Sequence, residues 1–221
     1  MAKKPSLRRS LAVRVTCQLM RLSGVCTSRL ALPAGALIVA PNHLSLWDGP
    51  LVACLTDRRV LFGVDPDYLC HQPWRFMLLF LVKLGFGDVV PLDAHRPFAW
   101  RRLAAALHRG EAICMFPEGA IARSGQSLPI RPGVARLASM MKAPVLPVRI
   151  ERAARRAAGA RRAEHPRIAV VAGAQIDASH PDLADLLTKS LQQSARIGTE
   201  TLDASGRSGG LDRRIGTFGR K

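Results

Sequence analysis

Six short apolar runs, at residues 36–40, 60–64, 86–92, 112–116, 144–150 and 167–172, are separated by segments of helical character. Each run is too short for a stable helix and the right length for a buried strand. The intervening segments carry helix signals. A helix is expected from the turn after Asn42 to about Leu55, and Pro73 opens a strongly apolar helix ending near Leu84. Pro97 opens another, with Trp100, Leu103, Ala104 and Leu107 on one face and Gly110 as its stop. Residues 133–141 and 183–197 also read as helical. Strands alternating with helices predict an α/β fold: a mixed, largely parallel sheet flanked by helices. The 221 residues suit one domain with a sizeable core, and no internal repeat is visible.

Three segments are expected. In residues 1–30, Leu7, Leu11, Val15, Leu19 and Leu22 recur at spacings of three and four among basic residues. This is the pattern of an N-terminal amphipathic helix with a positive polar face. It fits a helix packed on the domain, and equally one lying on anionic lipid, where each Lys or Arg adds about 1 kcal/mol. Residues 31–197 form the α/β domain. Residues 198–221, rich in Gly, Ser and Arg, are expected to be disordered.

Charge narrows the partners. The formal net charge is +17, from 33 Lys and Arg against 16 Asp and Glu. Such a balance favours an anionic partner: nucleic acid, an acidic membrane face or an acidic carrier protein. Aromatic residues make up only 5%, poor material for base stacking, so no nucleic-acid partner is expected. A spanning helix needs about 20 apolar residues. The stretch 30–47 lacks Lys, Arg, Asp and Glu but is broken by Pro33, Pro41, Asn42 and His43, and the run 76–82 ends at Lys83. The run at 36–40 leads directly into a turn and reads as a strand rather than a signal peptide. A peripheral protein on the cytoplasmic face of a membrane, without a transmembrane span, is the expectation. Five scattered cysteines without a Cys-x-x-Cys read as free thiols in a reducing compartment, offering neither a disulfide framework nor a metal site.

The chemistry concentrates in Val39-Ala40-Pro41-Asn42-His43-Leu44-Ser45-Leu46-Trp47-Asp48. Asp48 is the first acidic residue of the chain, after seven Lys and Arg, and it follows His43 by five residues. On a regular helix that spacing leaves two side chains about 140° apart. The pair can therefore meet only if His43 sits in the turn before a helix and Asp48 in its first turns. An aspartate on one imidazole nitrogen fixes the tautomer and leaves the other nitrogen to accept a proton. No Gly-x-Ser-x-Gly elbow supplies a nucleophile, so a hydroxyl of the substrate is the group for His43 to activate. Phe116-Pro117-Glu118-Gly119 presents a second carboxylate at a strand end, suited to hold a polyol or amine. Ala143-Pro144-Val145-Leu146-Pro147-Val148-Arg149-Ile150 is an apolar strand stiffened by two prolines.

In this order, over roughly residues 30–175, these motifs resemble those of the glycerolipid acyltransferase family, the lysophosphatidic-acid-acyltransferase-like enzymes. Its blocks are Asn-His-x-x-x-x-Asp, a Gly-x-x-x-x-x-Arg-like stretch, Phe-Pro-Glu-Gly and a Pro-Val-x-Pro-Val strand. The resemblance implies attack by a lysolipid or glycerol-phosphate hydroxyl on an acyl thioester. His43 would be the base and Asp48 its orienter. Asn42, Pro117, Glu118 and Gly119 would bind the acceptor, with Arg96 and Arg123 toward its phosphate. No cofactor is implied; acyl-CoA or acyl-carrier protein would be the co-substrate. Residues 76–82 would meet the acyl chain or the bilayer, or else pack in the core.

The chain departs from the family pattern at its cations. Asp65 stands just after the second strand, where phosphatidic-acid-forming members usually carry a lysine. The match to Phe-Pro-Glu-Gly-Thr-Arg-Ser-Arg continues here as Ala120-Ile121-Ala122-Arg123, so Ile121 replaces an arginine. The arginine of the second block is displaced to Arg96. Each charged hydrogen bond lost to a phosphate monoester is worth about 1.5–3 kcal/mol. Asp88-Val89-Val90-Pro91-Leu92-Asp93 and Pro147-Val148-Arg149-Ile150 are similar to the acyltransferase half of the bacterial 2-acylglycerophosphoethanolamine acyltransferase. A lysophospholipid is therefore the favoured acceptor. Phosphatidic acid formation from a 1-acyl-sn-glycerol-3-phosphate is the main alternative, thioester hydrolysis a lesser one, and nucleic-acid binding a remote one.

Overall fold

The computed structural model describes residues 11, 14–16, 18–19, 30–70, 72, 74–92, 98–121, 128–152 and 168–192. Six strands form one sheet in the order β3-β2-β4-β1-β5-β6. They are β1 (Leu37–Pro41), β2 (Val60–Val64), β3 (Gly87–Pro91), β4 (Ala112–Cys114), β5 (Val145–Arg152) and β6 (Ile168–Ala172). All neighbours pair parallel except β5 with β6, which is antiparallel. The expected mixed, largely parallel α/β architecture is what the chain adopts. The helices are α1 (Asp48–Leu55), α2 (Pro66–Cys70), α3 (Trp74–Lys83), α4 (Phe98–His108), α5 (Gly133–Met141) and α6 (Leu183–Gln192).

Alternation along the strands divides the core into two layers, because successive strand side chains point to opposite faces. Leu37 and Val39 of β1 face α1, joining Leu51, Val52 and Leu55 with Phe62, Cys114 and Val148. Ile38 and Ala40 face the other way, meeting Leu103 and Leu107 of α4, Leu137 of α5 and Leu187 of α6. With both faces covered, the central strands are buried throughout, which is why they read as continuous apolar runs. Gly87 is the register partner of Val60, and a β-carbon there would overlap the Val60 carbonyl. That close approach explains a glycine inside a strand.

At the N-terminal edge of the sheet, the Arg58 guanidinium donates to the carbonyls of Pro33, Gly35 and Gly110. The opposite edge collects the C-terminal ends of β1, β2, β3 and β4. In parallel α/β sheets that edge is where loops form sites.

The helix at 66–70 is one the sequence pattern did not reveal, since Pro66-Asp67-Tyr68-Leu69-Cys70 is too short to show a period. Of the N-terminal segment, residues 11, 14–16 and 18–19 are helical, and Leu11, Val15 and Leu19 are exposed. Leu7 and Leu22 lie outside the described residues, as do the 193–197 end of the expected last helix and the segment 198–221. Among the described residues no helix is long and apolar enough to cross a membrane. Cys54 and Cys114 are buried and Cys70 is exposed, all as free thiols.

Candidate active site

Among the described residues only four polar or charged side chains are buried: Asn42, Asp48, Thr56 and Glu118. Thr56 simply returns its hydroxyl to the Ala53 carbonyl in the last turn of α1. The other three belong to the two carboxylate-bearing turns singled out in the sequence. Burying polar groups is costly unless they are satisfied, so their arrangement carries information.

Strand β1 ends at Pro41, and Asn42 continues its edge by other means. Its backbone N–H donates to the Val148 carbonyl at 3.2 Å. Its side-chain amide then grips Ile150 on β5 at both ends, donating to the carbonyl at 3.1 Å and accepting the N–H at 2.7 Å. The resemblance implies Asn42 at the acceptor; in the structure its amide is engaged with β5, where it fixes the exit of the chain into the His43 turn.

The turn closes around Asp48, the first residue of α1. Asp48 Oδ2 accepts the backbone N–H groups of Leu44 and Ser45, each at 2.6 Å, and Oδ1 accepts the Ser45 hydroxyl at 2.8 Å. The same Oδ2 lies 3.1 Å from His43 Nδ1. Burial pushes this carboxyl up, but the hydrogen bonds from His43, Ser45 and Leu44 together outweigh it and hold Asp48 below the ordinary aspartate range. An ionised Asp48 takes the proton on Nδ1 as its hydrogen bond, leaving Nε2 the accepting nitrogen. The spacing argument is thus met: His43 lies in the turn and Asp48 at the helix start.

The second turn arrives beside it because β4 lies next to β1 in the sheet. Phe116, two residues past β4, stacks on the His43 ring with centroids 4.1 Å apart. Glu118 is 3% exposed. Burial raises its carboxyl above the ordinary glutamate range, although the backbone N–H groups of Leu128 and His43 both donate to it and pull the other way. Its Oε2 has no hydrogen-bond partner among the described residues. Glu118 therefore sits behind the site, tying the backbone of His43 to the loop that returns at Leu128.

Gly119 adopts φ +64°, and a β-carbon there would stand 2.7 Å from Arg131 Nε. Only glycine takes this turn without strain while letting the Arg131 stem pass.

The turns open into a cleft of about 650 Å³. His43, Pro117, Gly119, Ala120, Ile121 and Arg131 line one part of it, and Phe62, Met77, Leu78, Leu81, Val82 and Phe86 an apolar part. The helix of residues 76–82 is thus divided: Met77, Leu78, Leu81 and Val82 face the cleft, while Phe76 and Phe80 are more than half exposed. Asp65, at the end of β2, also lines the cleft.

The structure thus brings His43, Asp48, Asn42, Pro117, Glu118 and Gly119 together. Arg96 and Arg123 lie outside the described residues. Sequence reasoning missed two participants. Phe116 was read only as the first letter of its motif. Arg131 belongs to no motif, and its only signal was a cation just before an apolar helix.

A partly buried histidine paired with a buried aspartate thus stands at the mouth of an apolar cleft, on the C-terminal edge of a parallel sheet. Residues 25–151 match the family described as Acyltransferase, more than half of the chain, and the chain belongs to that family. Among solved structures, it is similar to the 1-acyl-sn-glycerophosphate (LPA) acyltransferase, PlsC, from Thermotoga maritima. The TM-score is 0.52 at 20% identity, over 82% of this chain and 78% of that one, a likeness of fold.

Proposed function

We propose that this acyltransferase moves a fatty acyl group from an acyl thioester to the hydroxyl of a lysophospholipid, working at an anionic membrane surface. The observation that carries the reading is the His43–Asp48 pair, 3.1 Å apart, at an apolar cleft. His43 Nε2 takes the proton of the acceptor hydroxyl as its oxygen attacks the thioester carbonyl carbon. The tetrahedral intermediate expels the thiolate, which takes the proton back from the imidazolium. Acyl transfer is complete and the histidine is neutral again. No cofactor enters the cycle; acyl-CoA or acyl-carrier protein is the co-substrate.

Two observations favour direct attack over an acyl-enzyme. The Ser45 hydroxyl, nearest to His43 in sequence, donates to Asp48. Cys114 is fully buried, and burial pushes its thiol far up, so it supplies no thiolate. The apolar wall of Met77, Leu78, Leu81 and Phe86 suits an acyl chain, and Pro117 and Gly119 suit the acceptor backbone. Asn42 and Glu118 serve as supports that hold the histidine turn. The +17 charge and the exposed Leu11, Val15, Leu19, Phe76 and Phe80 suit contact with anionic lipid at the cytoplasmic face. Formation of phosphatidic acid is the second reading, favoured by the fold neighbour's acceptor, a 1-acyl-sn-glycerophosphate.

The test is a panel of lysolipids assayed with acyl-CoA and with acyl-carrier protein. Diacyl product, with thiol release dependent on the lysolipid, is expected. Thiol release independent of any acceptor would favour hydrolysis, and absence of acylated product with both donors would overturn the proposal.

A further inference from the structure

The apolar part of the cleft explains the acyl chain but not the charges at the cleft's exposed rim. Two oppositely charged residues line it, Asp65 from the end of β2 and Arg131 from the segment before α5, and both are exposed. Among the described residues Arg131 forms no ion pair. Asp65 Oδ1 accepts the Asp67 N–H at 3.0 Å, and its other oxygen takes no partner among the described residues. Nor do the two side chains pair with each other. Among the described residues, a carboxylate and a guanidinium that each lack an ion-pair partner therefore share one opening.

The Arg131 end is held in place. The backbone N–H of Arg131 donates to the Pro117 carbonyl at 2.8 Å, and its side-chain stem runs against Gly119, where no β-carbon fits. Gly133 and Val134 line the same cleft and open α5, whose N-cap, Pro132, makes no side-chain capping bond. The N–H groups of that first turn, which have no acceptor within the helix, add to the positive end. The Asp65 end is built by an aspartate turn at the start of α2. A phosphate monoester would meet attraction at Arg131 and repulsion at Asp65. A headgroup carrying one anion and one ammonium satisfies both.

Resting on the lysolipid reading above, we infer that Asp65 and Arg131 are a split-charge selector for zwitterionic acceptors. Arg131 takes the anion, a phosphodiester or a carboxylate, and Asp65 takes the ammonium. Both act on binding of the acceptor, not on the acyl thioester.

The experiment compares lysophosphatidylethanolamine and a hydroxyl-bearing lipid N-acylated on the α-amine of a diamino acid, whose side-chain ammonium and carboxylate stay free, with lysophosphatidate and lysophosphatidylglycerol, in wild type, Asp65→Asn, Asp65→Lys and Arg131→Ala. Wild type is expected to favour a zwitterion by about tenfold or more in kcat/KM, the scale of one charged hydrogen bond. The first two acceptors separate a phosphodiester from a carboxylate as the anion. Asp65→Lys should reverse the preference toward lysophosphatidate, Asp65→Asn should erase it, and Arg131→Ala should raise KM for every anionic acceptor. Equal or greater wild-type use of lysophosphatidate, or an unchanged ratio in Asp65→Lys, overturns the selector while leaving acyl transfer standing. Absence of transfer to all four acceptors overturns the lysolipid reading itself. Equilibrium binding of short-chain forms of the same lipids to His43→Ala protein then decides the selector by itself. Preference for a zwitterion supports it, and equal, reversed or absent binding overturns it.

Discussion

The imidazole of His43 lies on the ring of Phe116, with centroids 4.1 Å apart and planes 24° from parallel. One ring comes from the turn after β1 and the other from the turn after β4. The contact makes the two motifs a single mechanical unit. Asp48 fixes which nitrogen of the imidazole is bare; Phe116 limits where that nitrogen points.

Phe116→Ala should therefore reduce kcat more than it raises KM. Aromatic stacking contributes about 0.5–1.5 kcal/mol beyond burial, which corresponds to a fall of roughly 2- to 13-fold. Phe116→Tyr keeps the ring and should retain most of the turnover. Steady-state kinetics of the two variants checks this, and an unchanged kcat in Phe116→Ala would remove the ring from the orientation of His43.

Asp48→Asn should cost both activity and acid-sensitive stability. An amide has one accepting oxygen where the carboxylate offers two, so the Leu44 and Ser45 donors and His43 Nδ1–H are no longer all served. Turnover should fall by about two orders of magnitude or more as the tautomer is released. The Asp48 pKa is lowered in the folded state, so its stabilisation is present above the ordinary aspartate value near about 4 and is lost as pH falls through the folded value. Denaturation followed from pH 6 downward should show a shallower acid decline in Asp48→Asn than in wild type.

The sheet was legible because its strands are buried on both faces and therefore read as uninterrupted apolar runs, as in Leu37–Pro41 and Val60–Val64. The His43–Asp48 pair was legible because a five-residue spacing has few geometries that bring the side chains together. Asn42 was harder. It adjoins His43 in sequence, yet its partner is Ile150, 108 residues away, and no local pattern announces that bond. Arg131 was invisible for a similar reason. Its place at the cleft follows from the missing side chain of Gly119, a property of the folded turn alone.

Asn42→Ala tests the support role directly. The substitution leaves the Ile150 N–H and carbonyl without the side-chain amide that now serves both. Each buried group left unsatisfied costs about 1–3 kcal/mol, so a loss of roughly 2–6 kcal/mol is expected in urea denaturation. Activity of the residual folded protein should fall through misplacement of His43, with KM for a soluble acyl donor little changed. A fully stable Asn42→Ala protein with a strongly raised acceptor KM would return Asn42 to the substrate.

Glu118 gives the opposite pH signature to Asp48. Its folded pKa is raised, chiefly by burial, so the stability associated with the protonated form is present below the ordinary glutamate value near about 4.3 and is lost as pH rises through the folded value. Glu118→Gln keeps an oxygen for the N–H groups of His43 and Leu128 and places a neutral amide where Oε2 has no partner among the described residues. It should remove the decline just above that pH and leave the protein as stable as wild type or more so near neutrality. Glu118→Ala should lose stability across the range, because both N–H groups then lose their acceptor. A thermal-melting series from pH 4 to 8 distinguishes the three proteins; parallel curves for wild type and Glu118→Gln would show that the Glu118 carboxyl does not titrate with folding.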